Sequence, residues 1–96
     1  MGCWQDKPIR AIATMEQTAP ELKDNYARRV DAVRKCAHVA HRRGYTVFAI
    51  QAGGWCASAS NAENTYQRYG PSQNCNQDGK GGNLANNVYR IISKSK

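Results

Sequence analysis

Apolar and polar positions fall into two clear patterns in the middle of the chain. Val33, Cys36, Ala37 and Ala40 recur at helical spacing, while Arg34, Lys35, His38 and Arg42 point the other way. This spacing predicts one main helix over about residues 31–43, with Asp31 as N-cap, Arg42 and Arg43 at the negative end of the helix dipole, and Gly44 as the left-handed cap. Tyr45 to Gln51 is β-branched, aromatic and apolar on both alternations, the signature of a central strand covered on both faces. Gly53-Gly54 interrupts it before Trp55-Cys56-Ala57 resumes. A helix laid across a sheet follows.

The flanks are weaker. Gly2 to Asp6 and Ile9 to Ile12 read as two short extended pieces with a turn at Lys7-Pro8, where proline removes a ladder donor. Glu16 to Arg29 reads as a loop holding one helical turn around Glu21 to Asn25, anchored by Leu22 and Tyr26. Ser60-x-x-Glu63 has the form of a capping box and predicts a second short helix over about residues 61–69, with Ala62, Tyr66 and Tyr69 inward and Gly70-Pro71 as its stop. Residues 72–83 are polar and glycine-rich around Cys75, Val88 to Ile91 reads as a closing strand, and Ser93 to Lys96 as a frayed tail. The fold class is α+β, and no internal repeat divides the chain.

Length limits this to a single domain with one modest core, since the chain has 96 residues. Lys and Arg outnumber Asp and Glu by 14 to 7, and the pI is about 9.5, which points to anionic partners: acidic glycans, nucleic acid or lipid headgroups. Four cysteines without a Cys-x-x-Cys spacing fit a disulfide framework better than a zinc site, and so a secreted or cell-surface setting. Cys3 and Trp4 follow Met1 too closely for a visible leader, so Met1 reads as an added start on a mature module. Asp6 stands where N-myristoylation wants Ser or Thr, and no stretch is long enough to span a bilayer.

Several marks fall in order: Gly2-Cys3-Trp4-x-Asp6, Arg10-Ala11-Ile12, a cysteine inside the first helix, Gly44-Tyr45, Gly53-Gly54-x-Cys56, and Gly81-Gly82 followed by Asn87-Val88-Tyr89-Arg90-Ile91. Together they resemble the WSC domain, a secreted carbohydrate-binding module grouped near the PAN/apple fold. The chain is a divergent match, because the family carries further cysteines, including a Cys-x-Cys after the glycine-rich turn, where Cys56 here precedes Ala57 and Ser58. The resemblance implies a small antiparallel sheet crossed by a helix, with glycan binding and no catalysis. Of the three pairings four cysteines allow, that fold favours Cys36 with Cys56, leaving Cys3 for Cys75.

Sugar recognition needs aromatic faces and planar amides or carboxylates. Trp55, Tyr66 and Tyr69 offer the faces, and Asn74, Asn76, Asp78, Asn83, Asn86 and Asn87 the bonding groups. The same residue types also fill cores and satisfy turns. Arg28, Arg29, Arg34, Lys35, His38 and Arg42 form a basic stripe suited to sulfate, carboxylate or phosphate, and a solvated helix face would look similar. His38 and His41 stand three apart without a third ligand, and Asn76-x-Asp78-Gly79 lacks the distal glutamate of a calcium loop, so no metal or cofactor is expected. No nucleic-acid-binding signature accompanies the charge. The resulting expectation is a lectin-like secreted module, gaining avidity as a homo-oligomer. The alternatives are a basic protein acting through charge on anionic glycans, lipids or microbial surfaces, and third a small hydrolase.

Overall fold

The computed structural model describes residues 1–92, so the expected tail at Ser93 to Lys96 lies outside the described residues. The main helix, α1, runs Ala32–Arg42 and buries Ala32, Cys36, Val39 and Ala40. Val33 and Ala37 flank that stripe half-buried, and Val39 belongs to it although the sequence pattern had not included it. Asp31 holds the N-cap position but not by a side-chain cap. Its backbone is left-handed (φ 54°) and its carboxylate instead accepts from Arg34 at 3.0 Å. The helix ends as expected, with Gly44 at φ +79° and the Tyr45 amide reaching back to the Ala40 carbonyl at 2.9 Å.

Four strands form one antiparallel sheet: β1 (Cys3–Gln5), β2 (Val47–Gln51), β3 (Trp55–Ser58) and β4 (Ala85–Arg90), in spatial order β1-β4-β2-β3. Every residue of β2 is buried, as its two-sided apolar pattern demands. One face carries Phe48, Ile50 and Cys56 under Cys36, Val39 and Ala40 of α1, with Met15 and Leu22 closing the side and Phe48 stacked on Tyr89 at 5.2 Å. The other carries Val47, Ala49, Trp55, Ala57 and Val88 under Ile12 and Ala62, with Trp4 and Tyr66 at the margin.

That second layer departs from the sequence reading. Ile9 to Ile12 is not a strand; it is a coil whose Ala11 and Ile12 plug into the sheet. The strand-like pairing comes later, where the Met15 amide bonds Cys56 O and Ser58 N bonds Ala13 O, each at 3.0 Å, along the free edge of β3. The second helix, α2, is only Ala62–Thr65, and the capping box does not form: Asn61 holds the cap position without a side-chain bond, while Glu63 accepts from Arg90 at 3.0 Å. Gly70 and Ser72 run beside β1, through Gln5 N to Gly70 O at 2.9 Å and Ser72 N to Cys3 O at 3.0 Å. Both sheet edges are therefore covered, β1 partly by Pro71, which has no N–H to offer.

Two disulfides join Cys36 to Cys56 and Cys3 to Cys75. The first ties α1 to β3 in the core; the second ties β1 to the polar loop. Between α1 and the sheet edge the chain makes two 3-10 turns, Pro20–Leu22 and Tyr26–Arg28, in place of the one helical turn expected. Leu22 is the anchor, whereas Tyr26 is 39% exposed. Arg29 holds this segment. Its side chain is fully buried, forks onto Glu16 at 2.7 and 2.9 Å, bonds Asp24 at 2.8 Å, and donates to Gly54 O at 2.8 Å. Gly54 is required for that approach, since a Cβ there would sit 2.3 Å from Tyr26 O.

Two outcomes follow. Arg29→Ala removes a fully buried side chain and leaves the largely covered Glu16 carboxylate with only the Cys56 amide, and should lower unfolding stability by about 3 kcal/mol in urea titration, against less than about 0.5 kcal/mol for exposed Arg28→Ala. Equal effects of the two would contradict the burial. On titration with a dithiol reductant, mass mapping should find Cys3–Cys75 opened first, because its sulfurs belong to half-buried residues while Cys36 and Cys56 are at 0% exposure.

Candidate functional site

The basic stripe expected on α1 is interrupted. Arg29 is not on the surface at all, Arg34 is paired with Asp31, and Arg42 forks onto Glu21 at 2.8 and 3.2 Å. His38 Nε2 lies 4.0 Å from the same carboxylate, and Glu21, Arg34, Lys35 and His38 line a shallow hollow of about 240 Å³. The Arg42 hydrogen bonds hold the Glu21 carboxyl down to about 2. An incoming anion would therefore meet a permanent negative charge in this hollow. Arg28 stays exposed on the neighbouring turn.

Most of the residues expected to hold sugar are already committed elsewhere. Trp55 is 8% exposed, with the Arg10 guanidinium 4.5 Å over its ring. Tyr66 meets Trp4 edge to face at 5.4 Å, and the Tyr69 hydroxyl donates to Ile9 O. Asn86 is wholly buried, its Oδ1 accepting from Gln51 Nε2 at 2.8 Å. Asn87 Oδ1 accepts from Gly81 N at 2.7 Å and Asp78 Oδ1 from Lys80 N at 2.9 Å, so both hold the glycine-rich turn in shape. The Asn76 amide N–H closes the same turn onto Gly81 O. These residues brace a loop whose Gly79 carbonyl accepts from the Tyr89 hydroxyl, a phenol pushed up first by burial and then by the Asp78 charge.

Asn74 and Asn83 are the exceptions. Both line a cleft of about 660 Å³ at the end of β1, together with Gln5, Lys7, Ser72 and Gln73 and with Pro71 and Leu84 as its apolar members. One backbone bond and two side-chain bonds hold its sides: Asp6 N donates to Leu84 O at 2.9 Å, the Gln5 side-chain Nε2 to Pro71 O at 3.1 Å, and Asn74 N to the Ser72 hydroxyl oxygen at 3.0 Å. Gly82 packs so tightly against Asn74 that a Cβ there would sit 1.9 Å from the Asn74 carbonyl. Asp6 borders the cleft, yet its carboxylate has no exposed surface. It accepts from Ala11 N at 2.9 Å, Gln51 Nε2 at 2.8 Å and Arg10 at 3.0 Å.

Reading the sequence missed Gln5, Lys7, Ser72 and Gln73. A signal was present: once Cys3 is paired with Cys75, residues flanking the two cysteines must be neighbours, and those are Gln5, Gln73 and Asn74.

No protein-family model, curated protein or solved structure matches the chain. Fold and bridges define a small disulfide-bonded α+β module. Among the described residues no group of three or more His, Cys, Asp or Glu could hold a metal ion, and no helix is long and apolar enough to cross a membrane.

The paired carboxylates contribute to the acid sensitivity of the fold. Glu21 and Asp24 are both lowered, the first by Arg42 and the second by Arg29. A lowered folded-state value means the unfolded chain binds more protons, so this stability is complete above the ordinary carboxylate range and is lost as pH falls, for Glu21 towards about 2. Thermal midpoints measured between pH 5 and pH 2 should fall less steeply for Glu21→Gln than for the parent; parallel slopes would contradict the pairing.

Proposed function

We propose that the chain is a non-catalytic carbohydrate-binding module of an extracellular protein, with its sugar site in the cleft beside β1. The observation that carries this reading is that four amide-bearing residues, Gln5, Gln73, Asn74 and Asn83, line one concave surface together with Ser72, the Gln5 Nε2 being used by Pro71 O and the other three side-chain amides having no hydrogen bond among the described residues. Each amide pairs a donor with an acceptor, the combination that adjacent sugar hydroxyls require. Pro71 and Leu84 supply apolar surface for the C–H side of a ring. Trp55, Tyr66, Asp78 and Asn86 leave the contact set because packing, the loop turn and the buried network already use them, and Asn76 because it does not line the cleft.

Binding without chemistry is favoured by the state of the cleft's acid. Asp6 is the carboxylate bordering it, and both of its oxygens are engaged by Ala11, Gln51 and Arg10. The motif resemblance to WSC domains points the same way, and two disulfides suit an oxidising compartment. A single cleft this open would bind one sugar unit weakly, so avidity through homo-oligomers or repeated modules belongs to the same proposal.

A glycan array run on the intact oxidised protein should identify ligands. Asn74→Ala and Asn83→Ala should each weaken binding about tenfold, the loss of roughly one good hydrogen-bonded pair. Neither side chain is buried, so melting temperatures should move by no more than a few degrees. Unchanged binding in both variants would remove the cleft from the site.

A further inference from the structure

The surplus positive charge of this protein is not spread evenly over its surface. Six of the seven acidic residues are used by arginines: Asp6 by Arg10, Glu16 and Asp24 by Arg29, Glu21 by Arg42, Asp31 by Arg34, and Glu63 by Arg90. The seventh, Asp78, accepts from the backbone of its own turn. The net charge of +7 therefore arises from the lysines and arginines outside these pairs, which outnumber the acids left over.

Lys7 is the cation that lines the amide cleft. Its ammonium sits 4.9 Å from the centre of the Tyr69 ring, and the Arg68 guanidinium lies 5.2 Å from the same ring. Tyr69 is itself fixed by its hydroxyl bond to Ile9 O. One ring therefore gathers two cations, and attraction to its π-face restrains both without neutralising either. Among the described residues neither cation has an ion-pair partner, while the nearby Asp6 carboxylate is unexposed and answered by Arg10. The hollow beside α1 differs in just this respect, because the ionised Glu21 borders it.

We infer that the ligand of the cleft is an acidic glycan, whose carboxylate or sulfate group is taken by the Lys7 ammonium with Arg68 reinforcing the field across Tyr69. This rests on the cleft being the sugar site. The amides read hydroxyls, and Lys7 selects among sugars by charge. A charge-assisted bond is about twice as strong as a neutral one, which makes Lys7 the main discriminator between acidic and neutral rings.

The test is an NMR titration of the intact, oxidised, nitrogen-15-labelled protein at about physiological salt, where distant surface charges are screened. Three ligands are compared: a uronic-acid tetrasaccharide, the same tetrasaccharide with its carboxyls reduced to alcohols, and a sulfated tetrasaccharide. The uronic acid should bind about tenfold tighter than its reduced form, with both shifting Gln73, Asn74 and Asn83. The sulfated arm tells which anion fits better. Lys7→Gln should abolish the acidic preference while leaving the reduced sugar within about twofold, Lys7→Arg should restore it, and Lys80→Gln, an equal change of charge outside the cleft, should leave it intact. Equal affinity for uronic acid and reduced sugar at the cleft would overturn the charge inference alone. So would an equal loss of preference in Lys7→Gln and Lys80→Gln. Binding that shifts Arg34 and Lys35 while leaving the cleft amides unmoved, or no binding by any arm, would overturn the cleft reading as well.

Discussion

A central strand buried on both faces is the constraint from which the rest of this small protein follows. Val47 to Gln51 must be covered twice, yet the chain supplies one substantial helix. Helix α1 covers one face in the ordinary way, through small side chains that let it approach closely. The other face is covered by coil from Asp6 to Ile12 and by the single turn of α2. Coil has no internal ladder, so its polar groups need partners of their own. Asp6 provides them by accepting from Ala11 N, Arg10 and Gln51, and Gln51 in turn reaches Asn86. The network closes except at Asn86 Nδ2, which is buried without a partner among the described residues. Arg10 extends it by lying over Trp55, so one acid organises the layer.

The cleft is a by-product of that arrangement. The coil turns inward at Asp6, whose carboxylate is unexposed, and the end of β1 borders the cleft together with Pro71 and Leu84. Cys3–Cys75 then fixes the far wall against β1, and the Gly82 contact with Asn74 holds it at its closest approach. Loop-closure arithmetic puts a bridge of this span at about 4 kcal/mol, a large share of what a domain of this size retains. Stability and the shape of the cleft therefore depend on the same bond.

How much of this could be read from the sequence differs by element, for physical reasons. Helix α1 and strand β2 were legible because their periodicities differ and each runs long enough to count. Ile9 to Ile12 misled because four residues of alternating character do not separate a strand from a coil that inserts two side chains. The Ser60-x-x-Glu63 box failed because Arg90, distant in sequence, offered Glu63 a charged donor in place of a backbone amide. Arg29 looked like one member of a basic run. Its partners Glu16 and Asp24 lie upstream, and only the fold brings all three together under Gly54. Asn86 and Trp55 were plausible sugar contacts because buried networks and sugar sites use the same chemistry, and residue type alone cannot say which side of the surface a side chain occupies. Asn74 and Asn83 share that chemistry and do line the cleft, whereas Lys7 has only the sequence signature of a turn beside Pro8.

The functional account comes down to where a sugar ring sits and what holds its charge. A crystal structure of the oxidised protein with a bound acidic oligosaccharide tests it most directly. The account predicts a ring between Gln5, Asn74 and Asn83, with its carboxylate or sulfate within hydrogen-bond distance of Lys7 Nζ. A ring seated instead on the outer face of α1, beside Arg34 and His38 and away from the cleft, would contradict it.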